Sequence, residues 1–198
     1  MDQAIFVSFL RWFVLAGWLF WILVYWRGGI AIGEDILSAF RNPQTRWDAW
    51  LLILLTGNTL LITFANLASC LGWIRVNGSI AGTCFGTCLT WLGISGTFYC
   101  RHFLAQAWTA RTQVDANHKL VESGPYGVVR HPIYTAAILL YSGLGFVHPI
   151  WWNDIPVGIV ILSYVFKTQD EDTYLRRHLA GYAEYAQRVT HRLLPKIW

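Results

Sequence analysis

The chain alternates long apolar blocks with short polar connections. Within each block the apolar residues run almost continuously, whereas an amphipathic helix would carry a stripe and a half-buried strand would alternate. A spanning helix needs about 20 mostly apolar residues and pairs all its backbone amides internally. The pattern predicts an all-α integral membrane protein with five transmembrane helices, at 5–26, 50–72, 80–99, 133–147 and 150–166.

The fourth and fifth blocks are shorter than the others and are separated by His148-Pro149. Proline disfavours helical backbone at the residue before it. We therefore expect these two blocks to form a tight helical hairpin, preceded by a cytosolic loop and followed by a C-terminal helix.

Composition supports a membrane location, because 55% of the 198 residues are hydrophobic and only 13% are charged. The formal net charge is +4, but the basic residues never form a dense run, so nucleic-acid binding is not expected. Nearly all Lys and Arg fall in the first and third connections and in the tail. The positive-inside rule then predicts an amino terminus outside and a cytosolic carboxyl terminus.

The four cysteines lie in or at the ends of apolar blocks and form no CxxC motif. Cysteines in such positions usually serve as small packing residues, so we expect neither a disulfide nor a metal site. The cysteines are Cys70, Cys84, Cys88 and Cys100.

Polar side chains gather in two places on the predicted cytosolic side. The first is the stretch 105–131, which ends in Arg130-His131, and the second is Asp170-Glu171-Asp172, which we expect to open a new helix after the fifth block. The hairpin should bring both clusters to the same end of the helices. A ligand carrying both a carboxylate and a cation would fit between them.

The same residues also allow an interpretation without a ligand. Arg130 would then anchor the inner end of the fourth helix, His131 would lie at the interface, and the three acids would stabilise a helix start through its dipole.

The segment 118–134 reads HKLVESGPYGVVRHPIY. It resembles the signature of the isoprenylcysteine carboxyl methyltransferase and phospholipid methyltransferase superfamily, in which HxLV, GxY and RHPxY follow one another. The tail is similar as well, with Glu171-Asp172 where the family has paired acids, followed by Tyr182 and Tyr185. It departs at Leu179-Ala180, where the family has Phe-Gly.

The resemblance implies one membrane methyltransferase domain over 1–198, with a three-helix scaffold in 1–100 and a cofactor-binding, catalytic half in 101–198. It implies S-adenosylmethionine as cofactor and a lipophilic substrate that enters from the bilayer among membrane lipids. The implied catalytic residues are Arg130, Tyr134 and Glu171. The implied cofactor-binding residues are His118, Leu120, Val121, Gly124, Tyr126, His131, Pro132, Tyr134, Glu171 and Asp172.

The sequence leaves the acceptor open among a prenylcysteine-like carboxylate, an amine and a thiol, and it does not specify an oligomeric state. A carboxylate or thiolate acceptor needs no general base, whereas an ammonium must first lose a proton, to His131, Tyr134 or Glu171.

Two other functions are compatible with the pattern. One is an NADPH-dependent membrane reductase of the sterol reductase type, against which Pro132 argues. The other is a small membrane transporter or assembly factor, which only the intramembrane Arg11 favours.

Overall fold

The computed structural model describes residues 2–26, 46–104 and 120–195. These residues form six α-helices and one 3-10 turn at Gly124–Gly127, with no β-strand among them. The helices are α1 (Gln3–Trp26), α2 (Arg46–Cys70), α3 (Ile80–Leu104), α4 (Pro132–Val147), α5 (Trp151–His178) and α6 (Tyr182–Arg188). The all-α prediction is confirmed for this part of the chain.

Two helical segments, Gln3–Val24 and Ala49–Cys70, are long and apolar enough to cross a membrane. Large apolar side chains along them are exposed, including Phe9, Leu23 and Phe64. Such exposure would be unfavourable in water and is typical of helices that face lipid. The full count of five spanning helices goes beyond this result and stays a prediction.

The prediction that Asp170 opens a new helix is wrong. Helix α5 continues without a break from Trp151 to His178, so the three acids lie within it. The apolar pattern ends near Phe166, but the backbone hydrogen bonds of a helix do not depend on that pattern, so the helix continues through polar residues. Arg176, one turn after Asp172, places its Nε 3.3 Å from the Asp172 carboxylate and supports this extension.

The core lies where α1, α2 and α3 pack against the α4–α5 hairpin. Trp18, Leu140 and Val160 are fully buried in it. Helix α3 offers buried glycines and threonines to α4, which lets the two backbones approach closely. The threonine hydroxyls are satisfied within the helix, as Thr90 shows by donating to the Gly86 carbonyl at 2.9 Å.

This close approach leads to a prediction for Gly93→Ala. A Cβ at Gly93 would overlap the backbone nitrogen of Leu140, so α3 and α4 would have to separate. We expect a loss of about 1–3 kcal/mol in the free energy of unfolding, measured by denaturation in detergent. Gly57→Ala is the control, because a Cβ there meets nothing within 4 Å. Equal stability of the two variants would contradict the close α3–α4 packing.

Candidate functional site

The two polar clusters meet at the end of the hairpin that holds the start of α4. Arg130 donates from Nε to Asp172 Oδ1 at 2.7 Å and from Nη2 to Asp172 Oδ2 at 3.2 Å. The two side chains are only 3% and 1% exposed. The predicted juxtaposition of the clusters is confirmed. The expectation that a ligand lies between Arg130 and the acids is wrong for Asp172, because these two side chains form a buried, bidentate ion pair with each other.

Arg130 also binds the C-terminal segment 189–193, which runs past the start of α4. Its Nη1 donates to the carbonyls of Val189 at 2.6 Å and Thr190 at 2.8 Å. Its backbone amide donates to the His191 carbonyl at 3.0 Å. The guanidinium therefore joins three parts of the chain: the start of α4, the end of α5 and the tail.

Neighbouring residues continue this attachment of the tail. The His131 amide donates to the Arg192 carbonyl at 2.9 Å, and the Thr135 hydroxyl donates to the Leu193 carbonyl at 2.7 Å. Pro132 occupies the first turn of α4, where its missing N–H costs no helical hydrogen bond. The helix start is thus fixed by both its own sequence and the tail.

Asp172 accepts hydrogen bonds from several other groups. The Tyr182 hydroxyl donates to Oδ1 at 2.9 Å, and Arg192 Nε lies 3.3 Å from Oδ2. Burial alone raises the pKa of Asp172, but the hydrogen bonds from His131, Arg130 and Tyr182 outweigh it and hold that pKa well below its ordinary value. The carboxylate stays ionised and in place.

Glu171, the neighbouring acid, has a different environment. Its Oε2 accepts a hydrogen bond from the Tyr134 hydroxyl at 2.6 Å and lies 3.9 Å from His131 Nδ1. The His131 and Tyr134 rings stack in parallel, with centroids 5.7 Å apart. The Glu171 side chain is 22% exposed, against 1% for Asp172, so of these two acids Glu171 is the one that a ligand can reach.

A small apolar cluster covers this site from the tail. Helix α6 buries Tyr182 and Tyr185, and Leu120 packs against them. The Tyr185 hydroxyl donates to the Tyr126 carbonyl at 2.7 Å. Burial raises the pKa of Tyr185, so its hydroxyl remains a donor. The cluster holds the 120–127 segment next to α6.

Of the remaining predicted residues, the structure describes Gly124 and Val121. Gly124 has φ +59° and faces the ring of Phe103, so a side chain there would be both strained and obstructed. Val121 is partly buried. His118 lies outside the described residues.

Sequence reasoning did not assign Thr135, Tyr182 or Arg192 to the site. Thr135 follows the RHPxY motif directly, and Tyr182 is one of the paired tyrosines, so there was a reason in the sequence to include both in the site. Arg192 is one of several basic residues scattered along the tail, and nothing in the sequence pointed to it as a site residue.

Comparison with known proteins identifies the family. The family model for phospholipid methyltransferase matches residues 80–181, about half of the chain. The chain belongs to this family. The family is part of the isoprenylcysteine carboxyl methyltransferase-like superfamily, so the resemblance seen in the sequence is confirmed.

One curated relative is the cobalt-zinc-cadmium resistance protein CzcN of Cupriavidus metallidurans. It is 35% identical over 78 residues, which cover 37% of this chain and 34% of the relative. The match therefore spans about a third of that protein. Within the described part of this chain, no group of three or more His, Cys, Asp or Glu side chains is arranged to hold a metal ion.

Proposed function

We propose that the protein transfers a methyl group from S-adenosylmethionine to a lipophilic acceptor at the cytosolic membrane face. The observation that carries this proposal is the partly exposed Glu171 carboxylate, held by Tyr134 and His131 beside a neutralised Arg130–Asp172 pair. The family supports methyl transfer to a lipid-like substrate. The acceptor we favour is a prenylcysteine-like carboxylate or a related lipid or small hydrophobic group.

The side chains at the site fit the cofactor's chemistry. S-adenosylmethionine carries an ammonium, ribose hydroxyls and a sulfonium, and a carboxylate side chain of the protein can bind each of them. The carboxylate of Glu171 is available for this role, because Asp172 already binds Arg130. Leu120, Val121 and Tyr126 would contribute apolar surface around the cofactor.

When bound, the cofactor supplies an electrophilic methyl carbon, and the protein's task is to align the acceptor with it. Glu171 would bind the cationic part, while Tyr134 and His131 hold the Glu171 carboxylate in one orientation. Arg130 would act by fixing the start of α4 and the tail around the site. For an amine acceptor, His131 would take the proton.

We further propose that the described site lies on the cytosolic side, with the amino terminus outside and the acceptor entering from the bilayer. The concentration of Lys and Arg on the site's side of the helices supports this orientation. The exposed apolar surfaces of α1 and α2 support a lipid environment for the acceptor.

Ligand-induced stabilisation tests the cofactor. We expect S-adenosylhomocysteine at about 100 times its Kd to stabilise the purified protein by about 2.7 kcal/mol, seen as a raised Tm. NADPH at equal concentration should leave Tm unchanged. Transfer of label from methyl-labelled cofactor to extracted lipids would test the acceptor class. Stabilisation by NADPH alone would refute methyl transfer and favour a reductase.

A further inference from the structure

A second buried polar cluster lies at the other end of the helices. Its Asn66 and Ser69 side chains on α2 and His148 between α4 and α5 are buried, and Arg11 of α1 and Cys70 of α2 are partly buried. Helix α4 separates His148 from Arg130 and is 16 residues long, or about 24 Å. This cluster is therefore distinct from the Glu171 site.

Hydrogen bonds tie the cluster together across three elements. Asn66 Nδ2 donates to Asn153 Oδ1 at 3.2 Å, and His148 Nδ1 lies 2.9 Å from Ser69 Oγ. Arg11 Nη2 donates to the Val76 carbonyl at 3.3 Å in the α2–α3 connection. Arg11 is also within electrostatic range of Cys70 and His148.

Three buried atoms of the cluster have no hydrogen-bond partner among the described residues. They are Arg11 Nε, Asn66 Oδ1 and His148 Nε2. The Asn66 and His148 side chains are fully buried. Buried polar atoms are almost always paired, so three of them in one cluster point to a ligand.

We infer that these atoms bind a hydroxyl group, supplied by an ordered water or by a lipid headgroup. Arg11 Nε can only donate and Asn66 Oδ1 can only accept, and a hydroxyl does both. A carboxylate or phosphate could accept from Arg11 but not donate to Asn66. Arg11 would repel a metal cation. His148 Nε2 takes either role, according to its tautomer, and the hydroxyl links α1 to α2 and the hairpin.

X-ray hydroxyl-radical footprinting of the full-length protein in detergent tests this site, with Cys70 as reporter and the similarly half-buried Cys84 as internal reference. X-ray radiolysis turns a bound water into a hydroxyl radical next to Cys70, so Cys70 should be oxidised about threefold faster than Cys84. Asn66→Leu and His148→Phe should each remove this difference. Asn58→Leu should not, because Asn58 is buried on the same helix and donates only to the Leu54 carbonyl among the described residues.

Native mass spectrometry distinguishes the two sources. If a water supplies the hydroxyl, Cys70 should still be oxidised faster than Cys84 after delipidation. If a lipid headgroup supplies the hydroxyl, the wild type and Asn58→Leu should each retain one bound lipid. The Asn66→Leu and His148→Phe variants should lose that lipid. The inference is overturned if Cys70 reacts no faster than Cys84 and no lipid is retained, or if neither the Asn66 nor the His148 variant changes either measurement.

Discussion

Replacing Asp172 by alanine is expected to lower the free energy of unfolding by about 3–5 kcal/mol, because it leaves the buried Arg130 guanidinium without its counter-ion. The Arg130 side chain is 3% exposed, so water cannot replace the carboxylate. The measurement is denaturation of the purified protein in detergent. Asp170→Ala is the matched control, since Asp170 is an exposed acid on the same helix.

A double-mutant cycle separates the ion pair from general packing effects. Arg130→Ala should be about as destabilising as Asp172→Ala, and the double variant should lose much less than the sum, with a coupling of about 2 kcal/mol or more. Additive losses would show that the pair does not hold α4 and α5 together.

Acid should weaken the same interaction. The pKa of Asp172 is lower in the folded protein than its ordinary value of 3.8, so its contribution to stability is complete above that value. That contribution is lost progressively as the pH falls from about 4 toward the folded pKa. Asp172→Ala should therefore lose less stability than the wild type over this acidic range, whereas Asp170→Ala should follow the wild type.

The second large effect is expected for Glu171→Gln, and it rests on the proposed function. A charge pair at about 4 Å is worth on the order of 4 kcal/mol at an effective dielectric near 20, before desolvation. Because Glu171 is 22% exposed, solvent screening reduces this value. We expect S-adenosylhomocysteine affinity to fall about 10- to 100-fold, measured by thermal shift or calorimetry.

The fold should tolerate this change, since glutamine can still accept the hydrogen bond from Tyr134. Glu184→Gln is the matched control, because Glu184 is an exposed acid on α6. Tyr134→Phe should weaken S-adenosylhomocysteine binding less than Glu171→Gln does. It removes the hydrogen bond that orients the Glu171 carboxylate, but the carboxylate keeps its charge. Unchanged affinity in Glu171→Gln, with normal stability, would remove Glu171 from the cofactor site.

The helices were largely predictable from local pattern. Five apolar blocks became α1 to α5, with most starts within a few residues of the predicted positions, because a continuous apolar run is a local property of the chain. The end of α5 was not predictable in this way. Polar residues extend it to His178, and it stops before Gly181, whose φ of +80° suits glycine.

The meeting of the two polar clusters also followed from the sequence. Arg130 precedes the first arm of a hairpin and Asp172 follows the apolar part of the second, so both had to lie at the same end. Which acid would pair with Arg130 could not be read from the chain. Glu171 and Asp172 are neighbours whose side chains point about 100° apart around a helix.

The sequence by itself determined the order of the helices, their hairpin connection and the end of the bundle where the acids and Arg130 gather. Tertiary structure alone decided that Asp172 binds Arg130 while Glu171 stays accessible, that segment 189–193 lies across the start of α4, and that Arg11 lies near His148. The physical reason is that apolar pattern acts within a segment, whereas these contacts depend on how each helix rotates against its neighbours.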